Sequence, residues 1–348
     1  MNRILQFVRR ERLYLLLLVF VILLNIANQE NVSRAKARKA AATLEVHKTQ
    51  ESVFVQPKEM EAIMDKNKNL AVIYTLTSFL VFLILILGIV IDAILLARRI
   101  SGKNISIQTY VPQKVLWNSW DVAKVAILFT FFGYMIVMAE SALVRIIPIL
   151  KNQNIRMILN SSILDALTIV FIIYFTVMQY GQNLASLGIS LKNFFKNVFY
   201  GIMGYIAAIP LLVAILLATA IISAVFKYVP EKQHVVQLFL KEKDVLFLLY
   251  TSIFAAVAGP IIEELFFRGF MYNAFKKYMP RVVAMFVTAG LFAALHAHPV
   301  GFLPIMALGV ILAYMYEKTG TLVSSMTIHI IHNLAMVYFV FLAKSMRI

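Results

Sequence analysis

The chain has 348 residues, of which 61% are apolar and 14% charged, and its mean hydropathy is +0.82. Soluble domains usually carry about 25% charged residues, so this balance excludes a soluble globule and marks a multi-spanning membrane protein. The formal charge of +16 comes with no cysteine at all, which excludes disulfides, thiolate metal ligands and a cysteine nucleophile.

The basic residues fall mainly between apolar runs, a pattern that suits anionic headgroups and orientation across a bilayer better than nucleic acid. The first run, 13–27, follows four arginines in residues 1–12. No small-residue cleavage site follows it, so it reads as an uncleaved first span or signal anchor. A polar stretch, 28–69, comes next, with possible exposed helices at 33–44 and 58–66. The second span is predicted at 70–97, closed by Arg98 and Arg99. A basic connector, 98–121, holds both tryptophans, Trp117 and Trp120, which are expected at the membrane interface.

Further spans are predicted at 122–138 and 163–180, the first with Lys124 near its entrance. An amphipathic connector follows at 181–196. The fifth span is expected at 198–226 with a kink at Pro210. Four more follow in quick succession at 245–272, 282–298, 302–316 and 322–342, joined by tight turns at 299–301 and 317–321. Spans of this kind need roughly 17–25 apolar residues. The expected architecture is all-α, a polytopic transmembrane helical bundle of about eight or nine spans. It divides into an N-terminal membrane region, 1–180, and a second membrane domain, 181–348. With the amino terminus inside, the cytoplasmic segments hold 15 basic residues and the opposite short segments 9. The positive-inside rule therefore favours a cytoplasmic amino terminus, and the expected location is the plasma membrane.

Chemistry concentrates in the last four spans. Glu263, Glu264 and Arg268 lie on the first of them, His296 on the second, and His329 and Asn333 on the fourth. Charges at membrane depth cost a few kcal/mol or more, roughly, and mark function. At 1.5 Å per residue, Glu263 lies roughly 20 Å from Lys276, His296 roughly 22 Å from Arg281 and His329 roughly 17 Å from Lys318. These groups can therefore share one layer. Glu264 and Arg268, spaced i,i+4, suit an ion pair, and His329 and Asn333 share one helix face. The set suits hydrolysis: a carboxylate takes a proton from water, a histidine helps hold that water, and imidazole or amide N–H groups meet a developing oxyanion. His298 and His332 read instead as interhelical hydrogen bonds, although His329 and His332 also have the spacing of a metal pair. Arg268 could alternatively snorkel to the end of its span.

Three motifs, Glu-Glu-x-x-x-Arg (Glu263, Glu264, Arg268), Phe-x-x-x-His (Phe292, His296) and His-x-x-x-Asn (His329, Asn333), each on its own span, resemble those of the CPBP family. These are the intramembrane CAAX prenyl protease-like proteins, also called the bacteriocin-processing or Abi family. The resemblance covers about 184–342. It implies an all-helical intramembrane endopeptidase with Glu263 as general base and His296 helping to hold the water. His329 and Asn333 would form the oxyanion site, with Glu264 and Arg268 in support.

The chain lacks a His-Glu-x-x-His zinc motif, so neither metal nor cofactor is expected. The expected partners are a peptide or protein substrate, its lipidation left open, and membrane lipids, with no nucleic acid. Two other classes remain open on the sequence, a proton-coupled carrier and a non-catalytic scaffold or immunity protein. The repeat symmetry common in transporters is missing.

Overall fold

Among the residues described by the computed structural model (2–42, 57–103, 106–111, 114–227 and 234–346), every regular element is helical. In chain order these are α1 (Asn2–Arg10), α2 (Arg12–Ala42), α3 (Pro57–Lys66), α4 (Lys68–Ile100), α5 (Ser119–Leu143), α6 (Gln153–Ile173) and α7 (Phe194–Val225). There follow α8 (His234–Lys241), α9 (Val245–Phe275), α10 (Arg281–Leu295), α11 (Phe302–Thr319) and α12 (Leu322–Ser345). Eight of the described helices are long and apolar enough to cross a membrane, and α10 is a shorter apolar helix of 15 residues. The chain is an integral membrane protein with a polytopic helical architecture. The middle of the polar stretch, 43–56, and part of the loop before α8, 228–233, lie outside the described residues.

The chain forms two compact units. One comprises 1–53 and 120–171, the other 54–119 and 172–348. In the first, Lys124 lies near the start of α5, as expected. It is buried, with Nζ 3.0 Å from Glu11 Oε2 and 3.4 Å from Asp121 Oδ1. Two carboxylates offset the desolvation of one ammonium, as a buried ion requires.

The second unit holds every residue of the candidate site. Its helices approach closely through small residues, as lipid-embedded helices do. Pro210 lies inside α7, where a proline has no N–H for the carbonyl four residues earlier, Ile206 O. Gly88 of α4 packs on that spot: a Cβ there would stand 2.5 Å from Ile206 O and 2.8 Å from Pro210 Cδ. The proline thus marks a helix contact as well as a break in the hydrogen-bond ladder.

Several boundaries differ from the sequence expectation, each for a local reason. The span expected from 282 to 298 ends at Leu295, because Ala297 turns left-handed (φ 48) and Pro299 follows. Such a residue beyond a helix end is a common stop signal, and proline prevents continuation. The turn expected over 317–321 shrinks, since α11 runs through Thr319. Gly320 (φ 77) then reverses the chain, and the Thr321 side chain caps α12 by accepting from Val323 N. The connector expected over 181–196 ends at Asn193, just before α7 begins. It holds one short 3₁₀ turn, Leu184–Leu187, and Gly188 O accepts from Leu322 N at 2.9 Å.

Trp117 is the clearest correction. Rather than presenting its ring to lipid, it is fully buried, stacks on Phe270 at 5.2 Å and donates Nε1–H to Phe270 O at 2.9 Å. A tryptophan with a carbonyl in reach can be buried whole, because its one polar group is satisfied.

The Gly88 contact gives a paired test. Gly88→Ala should cost about 1–3 kcal/mol, the usual penalty of overpacking, read as a lower midpoint for unfolding in detergent. Gly290→Ala is the control. A Cβ at Gly290, inside α10, meets nothing within 4 Å, so that substitution should raise stability by about 0.5–1 kcal/mol through helix propensity. Equal effects at both positions would rule out the close contact.

Candidate active site

α9 departs from a regular helix twice, at Phe254–Ala258 and Leu265–Tyr272, where it winds as π-helix. Between these segments lies the regular stretch Gly259–Glu264. A π-turn pairs each carbonyl with the N–H five residues on, and such turns are frequent at functional sites. Gly259 N–H already bonds to Phe254 O. The next partner in that pattern, for Ala255 O, is residue 260, a proline without an N–H. Asn333 Nδ2 fills the place, donating to Ala255 O at 2.9 Å. The sequence Gly259-Pro260 therefore creates an acceptor inside a span, and α12 supplies its donor.

Beyond this point Glu263 and Glu264 diverge in environment. The Glu264 side chain is completely buried, whereas that of Glu263 keeps 34% of its surface exposed. Glu264 Oε1 accepts from Arg268 Nη1 at 2.6 Å and stands 3.0 Å from His329 Nδ1. A carboxylate paired with a guanidinium only accepts hydrogen bonds, so Nδ1 of His329 is the donor. That leaves His329 Nε2 facing Glu263, 3.5 Å from Oε2. Arg268, Glu264, His329 and Glu263 thus form one chain from the interior to the accessible carboxylate.

Arg268 does not snorkel. It is 1% exposed, donates Nη2–H to Gly309 O at 3.1 Å, and lies over the Phe292 ring at 4.7 Å. α11 comes close enough to supply that carbonyl because Gly309 has no side chain. A Cβ at Gly309 would stand 2.9 Å from Ala289 Cβ on α10. The guanidinium has an ion pair, a carbonyl and an aromatic face, which together replace the water that it lost.

His296 caps the end of α10 and its Nδ1 lies 2.8 Å from Phe292 O. The carbonyl can only accept, so Nδ1 carries the hydrogen and a singly protonated ring offers Nε2 as an acceptor. Its link to the carboxylates runs through Phe292, whose ring lies 4.7 Å from that of His296 and 5.7 Å from that of His329. Of the six expected site residues, Glu263, Glu264, Arg268 and His329 are therefore in direct sequence of contact. His296 joins them through an aromatic ring, and Asn333 is tied to Ala255 one turn along α12.

Sequence reasoning treated Phe292 as part of a motif only. In the structure it is 1% exposed and touches Arg268, His296, His329 and Phe267. A signal was present: Phe292 lies one turn before His296 on the same helix face. Ala255 O and Gly309 O carried no such signal, because backbone acceptors are released by local geometry. His332 is hydrogen-bonded to Tyr205 OH at 3.3 Å, and His298 Nδ1 accepts from Gly301 N at 2.8 Å. Among the described residues, no group of three or more His, Asp or Glu side chains is arranged to hold a metal ion.

Residues 245–335 match the family described as Type II CAAX prenyl endopeptidase Rce1-like. No curated protein and no solved structure matches the chain. The matched segment begins with α9 and ends just after Asn333, so it contains all six residues of the constellation. Over these residues the chain is similar to CAAX-type intramembrane endopeptidases, the family that its three motifs also resemble.

Proposed function

We propose that the protein is a membrane-embedded endopeptidase that hydrolyses a peptide bond with water activated by Glu263. The family match supports a membrane peptidase acting on a peptide or protein substrate. The observation that carries the mechanism is the difference between two adjacent glutamates: Glu264 is locked between Arg268 and His329, and Glu263 is partly open. Only the open carboxylate can meet water.

In this reading Glu263 takes a proton from water held between it and His296. The resulting hydroxide adds to the carbonyl carbon of the substrate, and the carbonyl oxygen becomes an oxyanion. Asn333 offers it an N–H, since its amide has two and Ala255 O takes one. His329 stands beside it with Nε2 toward Glu263. Glu263 then returns its proton to the amide nitrogen as the C–N bond breaks, so no external acid is needed. Glu264 and Arg268 hold His329 in the orientation that this requires. No step calls for a metal or cofactor. The amino terminus is placed in the cytoplasm and the reacting layer opens to that side, as the charge distribution favours.

Glu263→Gln should lower kcat/KM by about 100- to 10,000-fold, the usual range for loss of a general base. Folding should be unchanged, because Glu263 is the exposed end of the chain. His296→Ala should reduce kcat as well, and the check is cleavage of a candidate peptide in proteoliposomes. Wild-type rates in both variants would remove the mechanism.

Arg268→Met addresses the supporting pair. Leaving Glu264 buried without its cation should cost about 3–5 kcal/mol. The double variant Arg268→Met with Glu264→Leu should recover most of that stability, but not activity, because His329 would lose its acceptor. Unfolding midpoints beside cleavage rates separate the two effects.

A further inference from the structure

One end of the unit formed by 54–119 and 172–348 is strongly cationic. The segments that close it, 98–118, 181–197, 273–281 and 317–321, hold ten lysines and arginines against a single carboxylate, Glu317. Hydrogen bonds show that they meet at the same end: Thr109 N and Tyr110 N donate to Thr319 O, and Leu322 N donates to Gly188 O.

Within this end lies a pocket of about 480 Å³. Ser106, Ile107 and Gln108 of the connector form one wall. Lys276 and Arg281, on either side of the α9–α10 turn, form another, and Tyr316, Glu317 and Lys318 at the end of α11 close it. Glu317 organises the charge: Oε2 accepts from Lys276 Nζ and Tyr272 OH, each at 3.1 Å, and Oε1 lies 3.2 Å from Arg281 Nε. One carboxylate offsets only one of the pocket's three cations. Lys318 lies over the Tyr314 ring at 5.5 Å, and the Arg281 side chain is 75% exposed, leaving donors of both available to a ligand.

We propose that this pocket binds the phosphate of an anionic lipid headgroup from the leaflet at that end of the bundle. Three observations converge on that chemistry. The pocket carries two positive charges beyond what Glu317 offsets, with Lys276 and Arg281 held by that carboxylate and Lys318 beside the Tyr314 ring. Its residues sit where α9 and α11 end and α10 begins, the level of the headgroups for spans of this kind. Its volume exceeds that of a phosphate group alone and leaves space for the rest of a headgroup. Phosphate is also the anion for which lysine and arginine donors are suited.

Native mass spectrometry of the full chain in neutral detergent, titrated with phosphatidylglycerol, phosphatidylcholine or inorganic phosphate, tests this. Phosphatidylglycerol should bind more tightly than phosphatidylcholine. Lys318→Gln and Arg281→Gln should each weaken it about fivefold and the pair about 25-fold. Lys192→Gln with Lys196→Gln removes the same charge outside the pocket and should change binding by less than about twofold. Competition by inorganic phosphate at similar concentration would support the anion site and identify free phosphate as its source. Equal losses in the pocket and control pairs would overturn the site in favour of diffuse attraction. Equal binding of the two lipids by the wild-type protein would overturn it outright. Lys318→Gln alone, at an exposed side chain, keeps the test valid if the double variant unfolds.

Discussion

A guanidinium deep inside an apolar bundle sets the terms for the surrounding structure. Arg268 cannot keep its water there, so it must be met on every side, and four helices contribute. Its own helix supplies Glu264, α10 the face of Phe292, α11 the carbonyl of Gly309, and α12 approaches through His329 on the other side of Glu264. Removing Glu264 leaves a buried charge without its counter-ion, which is far costlier than the loss of one surface contact. Preorganisation follows directly. The orientation of His329 is fixed by a carboxylate that is itself fixed by an arginine, before any substrate arrives.

The architecture was legible from apolar run lengths, and the candidate site was drawn from three motifs at comparable depth. Glu264 and Arg268 could be paired on paper because helical spacing brings i and i+4 together. What lay hidden depended on departures from regular geometry. No periodicity announces the π-turns in α9, so the free carbonyl of Ala255 and the partner of Asn333 were out of reach. Trp117 illustrates a different limit. Position beside a span suggests an interface tryptophan, but a carbonyl 153 residues away satisfies its N–H and permits full burial. The division between the two glutamates was also only partly readable. Sequence places them side by side, whereas helix rotation decides which one faces the interior.

The segment that matches the family relies on residues outside it for much of its bonding. Phe270 O takes Trp117, Leu322 N–H goes to Gly188 O, and Thr319 O takes the N–H groups of Thr109 and Tyr110. Lys277 Nζ reaches Leu116 O and Trp117 O at 3.1 and 2.8 Å. The two connectors therefore brace the turns between the helices that carry the candidate site. Their conformation is irregular because their hydrogen-bonding groups are directed at those turns instead of at one another.

The two π segments of α9 also act as phase adjusters. Each accommodates about one residue more than the same length of α-helix, which rotates everything beyond it by roughly 100° relative to a regular continuation. Glu263 and Glu264 lie between the two adjustments, so the glutamate pair is angularly decoupled from both ends of its own span. The beginning of α9 can face Asn333, and its end can hold Asn273 against Tyr316, without either contact dictating where the carboxylates point. A one-residue deletion in this helix would consequently act as a rotation, turning the carboxylates away from His329 while leaving the composition of the span almost unchanged.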